Sequence, residues 1–304
     1  MHDFIFTPYP QTKDMNKING FLYGLLSSAS FGLIPLFAIP IMRQGMQFES
    51  ILLYRFLFAC LALATILLLT RQSFRIRIKE IPSLLLLAFL YDASAIFLFW
   101  GYKFMPSGVA TTIHFMYPVL TTIIMMVFFH EKKSTWRLIA VGIAVLGVFF
   151  LSYGDTSGSI TPTGLIIVLL SALGYALYLI TVSQLKVGEM KGLKLTFYVF
   201  LFGGIILFCL TAIFSEVQLI NNGETARNLL LLALIPTVIS NLALVRAIKS
   251  IGSTLTSVLG AMEPVTAVCV GILIFGEVFT QSIAIGIILI ITAVVILILR
   301  SSKA

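Results

Sequence analysis

The chain has 304 residues, of which 59% are hydrophobic and 11% are charged, and its formal net charge is +8. This composition leaves too little polar surface to coat a soluble globule of this size, so most of the chain must be solvated by lipid. The basic residues are scattered between apolar runs and do not cluster on a polar module, which argues against a nucleic-acid partner and in favour of membrane topology.

A short polar tail is followed by ten apolar segments that are each long enough to cross a bilayer, which takes about 20 residues. The tail, residues 1–17, contains acidic residues and two prolines and lacks the apolar core of a signal peptide, so we expect it to be disordered. The predicted spans are 18–41, 50–70, 81–103, 107–129, 135–153, 162–182, 195–214, 229–248, 251–275 and 280–299. The predicted fold class is therefore an all-α membrane protein with ten transmembrane helices.

Lysine and arginine are distributed unequally between the two sides of these spans. Fifteen lie on the side that holds both termini, whereas three lie on the other side: Arg43, Lys103 and Arg227. Because cytoplasmic loops are enriched in positive residues, we predict that the N and C termini are cytoplasmic.

The two halves of the chain resemble each other at a nearly constant offset. Residues 115–131 align without gaps with residues 261–277, and shorter matches elsewhere keep an offset of 144 to 146 residues, which favours duplication. Five spans per half is an odd number, so the halves, 18–153 and 162–300, are predicted to be inverted repeats. Inverted repeats are typical of secondary transporters, in which a site near the midplane is exposed alternately to either side.

Three features together resemble the EamA branch of the drug/metabolite transporter superfamily, over about residues 18–300. They are the five-plus-five arrangement, the "YRFLFA" around Arg55, and a proline followed thirteen residues later by glutamate in spans four and nine. The resemblance implies a bacterial inner-membrane exporter of amino acids or other small metabolites, although some members import. It also implies a central cavity lined by spans one, three, four, six, eight and nine. The second half lacks an arginine equivalent to Arg55, since Tyr198 and Val199 occupy that region.

Two carboxylates inside spans are candidates for the transport site, because an ionisable residue in a membrane is costly unless it faces a cavity or a partner. Glu263, near the middle of span nine, could exchange a proton or bind a substrate ammonium. Alternatively, it pairs permanently with a basic or hydroxyl group that holds two helices together. Asp92, at the centre of span three, is predicted either to face Glu263 as a cation or proton site or to form an ion pair with Arg55.

Two basic residues are weaker candidates. Arg55 could bind a substrate carboxylate through both of its terminal nitrogens. It lies near the end of span two, however, where a structural role in capping carbonyls or reaching the surface is favoured. His114 is interpreted as a neutral histidine that is hydrogen-bonded in the helix packing, with a titrating cavity wall as the alternative.

Further side chains are predicted to complete the site. Those that could line an amphipathic pocket are Tyr117, Tyr175, Tyr178 and Asn241. Pro118 and Pro264 lack the amide that would pair with the carbonyl four residues back, so both helices should be kinked and are candidate hinges. Glu131 and Glu277, at the ends of spans four and nine, are expected to act as structural caps.

Motifs of other protein classes are incomplete or missing. "HEKKS" at 130–134 lacks the second histidine of a zinc-protease motif, and the chain contains no phosphate-binding GxxxxGK[ST] loop. The three cysteines lie far apart in apolar runs, which favours inert buried thiols over a metal site. We therefore expect no enzyme activity and no metal or other cofactor, and a channel is disfavoured because the ionisable groups are few and isolated.

The sequence therefore predicts a secondary transporter of the bacterial inner membrane that exports amino acids or similar small metabolites, with protons as a candidate coupling ion. The alternative is an importer or multidrug exporter of a cationic metabolite, amine or vitamin. The expected partners are the small-molecule substrate, protons and the lipid bilayer. We expect the chain to work as a monomer or a weak dimer.

Overall fold

The computed structural model describes residues 14–128, 135–153, 161–184, 192–260 and 262–301, and this part of the chain is almost entirely helical. Glu131 and residues 1–13 of the predicted tail lie outside it. The helices are α1 (Asp14–Gly32), α2 (Ile34–Arg43), α3 (Phe48–Leu69), α4 (Ile81–Gly101), α5 (Ser107–His114), α6 (Tyr117–Phe128), α7 (Thr135–Tyr153), α8 (Pro162–Gln184), α9 (Gly192–Phe214), α10 (Gly223–Ala233), α11 (Ser240–Leu259), α12 (Met262–Phe275) and α13 (Gln281–Ser301). A 3-10 turn, Ile78–Glu80, precedes α4, and a π-helical segment, Leu234–Ile239, joins α10 to α11.

Seven helical segments in the described residues are long and apolar enough to cross a membrane, and two shorter apolar helices follow them. The chain is therefore an all-helical, multi-pass membrane protein, whereas the count of ten spans stays a prediction. The first helix begins at Asp14, four residues earlier than predicted, so the end of the predicted tail is helical.

The helices of the two halves are interleaved and do not form separate bundles. Helix α1 packs against α11 and α12, and its equivalent in the second half, α8, packs against α4 and α6. Helices α3 and α7 each pack against their own equivalents, α9 and α13. The start of α3 meets the end of α9, where the Ser50 hydroxyl donates to the carbonyl of Glu216 at 3.5 Å. The equivalent helices α3 and α9 are thus antiparallel, as inverted repeats require.

The helices predicted to be kinked by Pro118 and Pro264 are both interrupted. In the first half, α5 ends at His114 and α6 begins at Tyr117. In the second half, α11 ends before Gly260 and α12 begins at Met262, with the Glu263 amide donating to the Gly260 carbonyl at 3.0 Å. The kinks are therefore present, whereas the hinge role of the two prolines stays a prediction.

A further interruption, which was not predicted, divides span one. Helix α1 ends at Gly32 and α2 begins at Ile34, with Pro35 in its first turn. Gly32 lies so close to α12 that a Cβ at this position would overlap the carbonyl oxygen of Glu263. The break in span one therefore lies beside the residue that the sequence singled out in span nine.

The predicted boundary between spans eight and nine lies inside α11, which is one helical run from Ser240 to Leu259. Three contacts with α1 show that this run is bent: Ser240 bonds to Ser27, Ile251 lies against Gly20, and Leu259 lies against Gly24. In the first half, Pro106 precedes α5, and no proline stands at the equivalent position, Ile251.

Candidate functional site

Four tyrosines from three helices meet inside the bundle and form the tyrosine cluster, which consists of Tyr91, Tyr117, Tyr175 and Tyr178. The ring centroids of Tyr117 and Tyr175 are 4.7 Å apart, and those of Tyr91 and Tyr178 are 5.4 Å apart, with edge-to-face geometry in both pairs. The rings of Tyr91 and Tyr175 are 6.3 Å apart, also with edge-to-face geometry. The cluster therefore presents aromatic faces, which are suited to contact with a ligand.

The carboxylate of Glu263 belongs to the same region. It is 6% exposed and lies within electrostatic range of three tyrosines of the cluster: Tyr91, Tyr117 and Tyr175. Its Oε1 atom is buried and has no hydrogen-bond partner among the described residues, so the alternative of a permanent pair with a basic or hydroxyl group is not formed with them at this oxygen. Because Glu263 and Tyr117 occupy equivalent positions of the two repeats, the duplication brings both near one site.

His114 borders the tyrosine cluster, with its ring 5.7 Å from that of Tyr117 and 5.6 Å from that of Tyr175. Its Nδ1 atom lies 2.9 Å from the hydroxyl of Ser171, which donates its hydrogen to the carbonyl of Ser94 at 2.7 Å. Since this hydroxyl has one hydrogen to donate, it accepts from His114, and Nδ1 therefore carries a proton. This geometry matches the interpretation of His114 as a residue of the helix packing.

Arg55 is 2% exposed and does not pair with Asp92. Its Nε donates to the hydroxyl of Thr237 at 2.7 Å, and that hydroxyl donates to the carbonyl of Leu232 at 3.0 Å. The Leu232 carbonyl lacks its usual partner because Pro236, four residues later, has no amide hydrogen. Arg55 thus stabilises the π-helical segment across the interface between the two repeats.

The same segment also binds the side chain of Asn241. Its Nδ2 donates to the carbonyl of Thr237 at 2.7 Å, four residues earlier in the same helical run. Asn241 was predicted to line the pocket, and this stays a prediction. The second hydrogen of Nδ2 and the Oδ1 oxygen are the groups with which it could contact a substrate.

Asp92 is almost fully buried, and neither of its carboxylate oxygens has a hydrogen-bond partner within the part of the chain that the structure describes. The carboxylate packs against α9, where a Cβ on Gly203 would lie 2.5 Å from Oδ1. At the repeat offset of 145 residues, Asp92 is equivalent to Thr237 and Arg55 is equivalent to Phe200. Thr237 is bound by Arg55, whereas Phe200 has no charge with which to pair Asp92. The predicted ion pair with Arg55 is therefore not formed in this structure, because the two side chains point to different repeat interfaces.

Three participants were not predicted from the sequence: Tyr91, Ser171 and Thr237. Tyr91 precedes Asp92 in "FLYDASAIF", in a span rich in aromatic residues, so no pattern separated it from the other aromatic residues of the spans. Ser171 and Thr237 are hydroxyl residues of a type that is common in membrane helices. An offset of 145 from Asp92 would have indicated Thr237.

The comparisons with known proteins agree with this architecture. The model of the EamA-like transporter family matches the chain twice, over residues 18–153 and 162–299. The chain is 26% identical over 251 residues to the Uncharacterized transporter YdfC of Bacillus subtilis, with 80% of each chain covered. It is 27% identical over 292 residues to the Uncharacterized transporter PM1281 of Pasteurella multocida, covering 91% of this chain and 94% of that protein.

A crystal structure of a further protein superimposes with a TM-score of 0.67 and covers 96% of this chain and 99% of its own. At 14% sequence identity this likeness concerns the fold alone. The two family matches coincide with the two halves whose helices are interleaved, and together they span nearly the whole chain. The chain therefore belongs to the EamA-like transporter family of the drug/metabolite transporter superfamily.

Proposed function

We propose that this protein is a secondary transporter of the bacterial inner membrane that exports a small metabolite carrying an ammonium group. The observation that carries the proposal is the convergence of Glu263 with the tyrosine cluster beside the two interrupted helices. Electron-rich aromatic faces attract cations, and a desolvated carboxylate adds a direct charge partner. Amino acids and organic amines share the ammonium group that such a site would bind.

Alternating access is the mechanism that fits this arrangement. The site lies where helices of both repeats meet, so tilting one repeat against the other would expose it to each side in turn. Glu263 is the group that we assign to coupling, because one carboxylate can bind either a proton or the substrate cation. Export is the direction that the resemblance to the family implies.

Organic cations without a carboxylate are the second candidate substrates. A zwitterionic amino acid needs a cationic partner for its carboxylate, and Arg55 is a basic residue within electrostatic range of Tyr91. Its Nε is bound to Thr237, and its buried Nη2 atom has no hydrogen-bond partner among the described residues. With Arg55 held in this way, the tyrosine cluster favours a substrate with a net positive charge.

The test is flux in proteoliposomes of defined orientation, with labelled amino acids and amines, in the presence and absence of a pH gradient. We expect saturable flux of an ammonium-bearing solute that responds to the gradient, and Glu263→Gln should abolish that response. Glu224→Gln is the matched control, because Glu224 is an exposed acid distant from the cluster. Unchanged pH dependence in Glu263→Gln would overturn the coupling role.

A second pair of variants tests the aromatic contact. Tyr175→Phe keeps the ring, whereas Tyr175→Leu removes it and keeps an apolar side chain of moderate size. Since a cation–π contact is worth about 0.5–2 kcal/mol, we expect Tyr175→Leu to raise KM roughly two- to thirtyfold and Tyr175→Phe to change it little. An equal effect of both variants would contradict a role for the ring.

A further inference from the structure

A cavity whose lining includes none of the four cluster tyrosines opens on the face of the bundle opposite the start of α1 and the end of α13. Its volume is about 360 Å³, which is in the range of small-molecule sites. It lies between the end of α2, the turn after α4, the start of α5 and the end of α12. The residues that decide its chemistry are Arg43, Tyr102, Lys103, Ser107 and Glu277.

Two of the three basic residues that the sequence assigns to this face line the cavity. The Arg43 guanidinium lies 5.0 Å from the ring centroid of Phe275, and the Lys103 ammonium lies 4.9 Å from that of Phe48. Neither Arg43 nor Lys103 forms an ion pair with a carboxylate of the described residues. Aromatic rings therefore hold both cations in place without neutralising their charge.

The carboxylate that lines the cavity, Glu277, is directed towards the start of α5. It accepts hydrogen bonds from the Ser107 amide and the Ser107 hydroxyl, both at 2.7 Å, and from the Gly108 amide at 3.3 Å. Gly271 leaves the room for this carboxylate, since a Cβ there would overlap Oε2. The negative charge of Glu277 is thus compensated by the N-terminus of a helix and not by Arg43 or Lys103.

We propose that this cavity is a binding site for a small carboxylate, held by Arg43 and Lys103. Two uncompensated cations in a concave site attract a counter-ion, and guanidinium and ammonium groups both donate charge-assisted hydrogen bonds to carboxylate oxygens. Tyr102, which also lines the cavity, lies within electrostatic range of both Glu277 and Glu263. The cavity lies on the side of the membrane predicted to be extracytoplasmic.

The test measures binding directly and does not depend on transport. Purified protein in nanodiscs of zwitterionic lipid is titrated with succinate by isothermal titration calorimetry at low ionic strength, with choline as the cationic control. We expect saturable succinate binding that weakens as salt is added, because salt screens exposed charges. Arg43→Gln and Lys103→Gln should each weaken it about tenfold, as for the loss of one charged hydrogen bond.

Arg227→Gln is the matched control variant, because Arg227 lies on the same face but outside the cavity and contacts Glu224 at 3.9 Å. It should bind succinate as the wild-type protein does. The proposal is overturned if succinate does not bind saturably, if the Arg43→Gln/Lys103→Gln double variant binds it equally well, or if Arg227→Gln weakens binding to the same extent. A failure of the transport assay with intact succinate binding would count against the proposed function alone.

Discussion

Glu277 and Ser107 join the two repeats at one end of the bundle, through two hydrogen bonds of 2.7 Å from Ser107 to the Glu277 carboxylate. The first amides of a helix lack intrahelical partners and favour a negative charge nearby, so this carboxylate caps α5. Its position is set locally. Gly276 has a φ of +66°, the left-handed conformation in which many helices end, and the Glu277 amide donates to the Gly271 carbonyl at 2.9 Å.

Removing this cap should destabilise the protein. We expect Glu277→Ala to lower the free energy of unfolding by roughly 1–3 kcal/mol, because three donors lose a charged acceptor. Glu277→Gln should cost less, since its amide oxygen can still accept. The measurement is thermal unfolding in detergent, with exposed Glu224→Ala as the control. Equal stability of Glu277→Ala and Glu224→Ala would show that the cap contributes nothing.

Helices α5 and α12 approach each other so closely that one methyl group should separate them. A Cβ on Gly108 would lie 2.8 Å from the Cα of Val268, and a backbone atom cannot move aside as a flexible side chain can. We therefore expect Gly108→Ala to reduce the melting temperature and the yield of folded protein. Gly142→Ala is the control, because a Cβ at that position on α7 would have no other atom within 4 Å. Folding of Gly108→Ala at wild-type yield would refute the close approach.

The hydroxyl of Thr237 is the acceptor for Arg55 and the donor to Leu232. Thr237→Val has nearly the same shape and removes both hydrogen bonds, so the free energy of unfolding should fall by roughly 1–3 kcal/mol. Thr237→Ser keeps the hydroxyl and should retain most of the stability. Comparison of the two variants by thermal or denaturant unfolding separates the hydrogen bonds from the packing. If both variants are equally stable, Arg55 does not depend on this hydroxyl.

The orientation of the chain can be tested by cysteine labelling. Arg227 and Lys79 are exposed on opposite faces of the bundle, and the charge distribution predicts that Lys79 faces the cytoplasm. In a background without the three native cysteines, a membrane-impermeant maleimide should label Arg227→Cys in intact cells. Lys79→Cys should be labelled after permeabilisation only. The reverse pattern would invert the predicted topology.

The backbone plan was largely predictable from the sequence. Hydropathy indicates membrane spans because lipid-exposed backbone must be hydrogen-bonded within a helix. The offset of about 145 residues predicted that the chain consists of two equivalent repeats. Pro118 and Pro264 predicted the two interrupted helices. These are local or pairwise properties of the chain, so they can be detected without knowing which helices touch.

The partners of the polar side chains were not predictable in this way. An ion pair with Arg55 was one of the two alternatives for Asp92, but Arg55 binds Thr237, and Asp92 lies against Gly203 without a hydrogen bond to any described residue. The bond from Asn241 Nδ2 to a backbone carbonyl of the π-helical segment was not predicted either. In each case the contacted residue lies on another helix or on another turn of the same helix, and the sequence does not show which sides of these helices face each other.

Lipid tails are as apolar as a protein core, so a membrane helix can be hydrophobic all round and its periodicity does not reveal which face is buried. The sequence by itself therefore determined the membrane environment, the duplication, the positions of the helix breaks at the two prolines and the presence of costly ionisable groups inside spans. Only the tertiary structure decided that Glu263 meets the tyrosine cluster, that Arg55 supports the π-helical segment, and that Arg43 and Lys103 share a cavity. Those relationships depend on how the helices rotate and pack against each other.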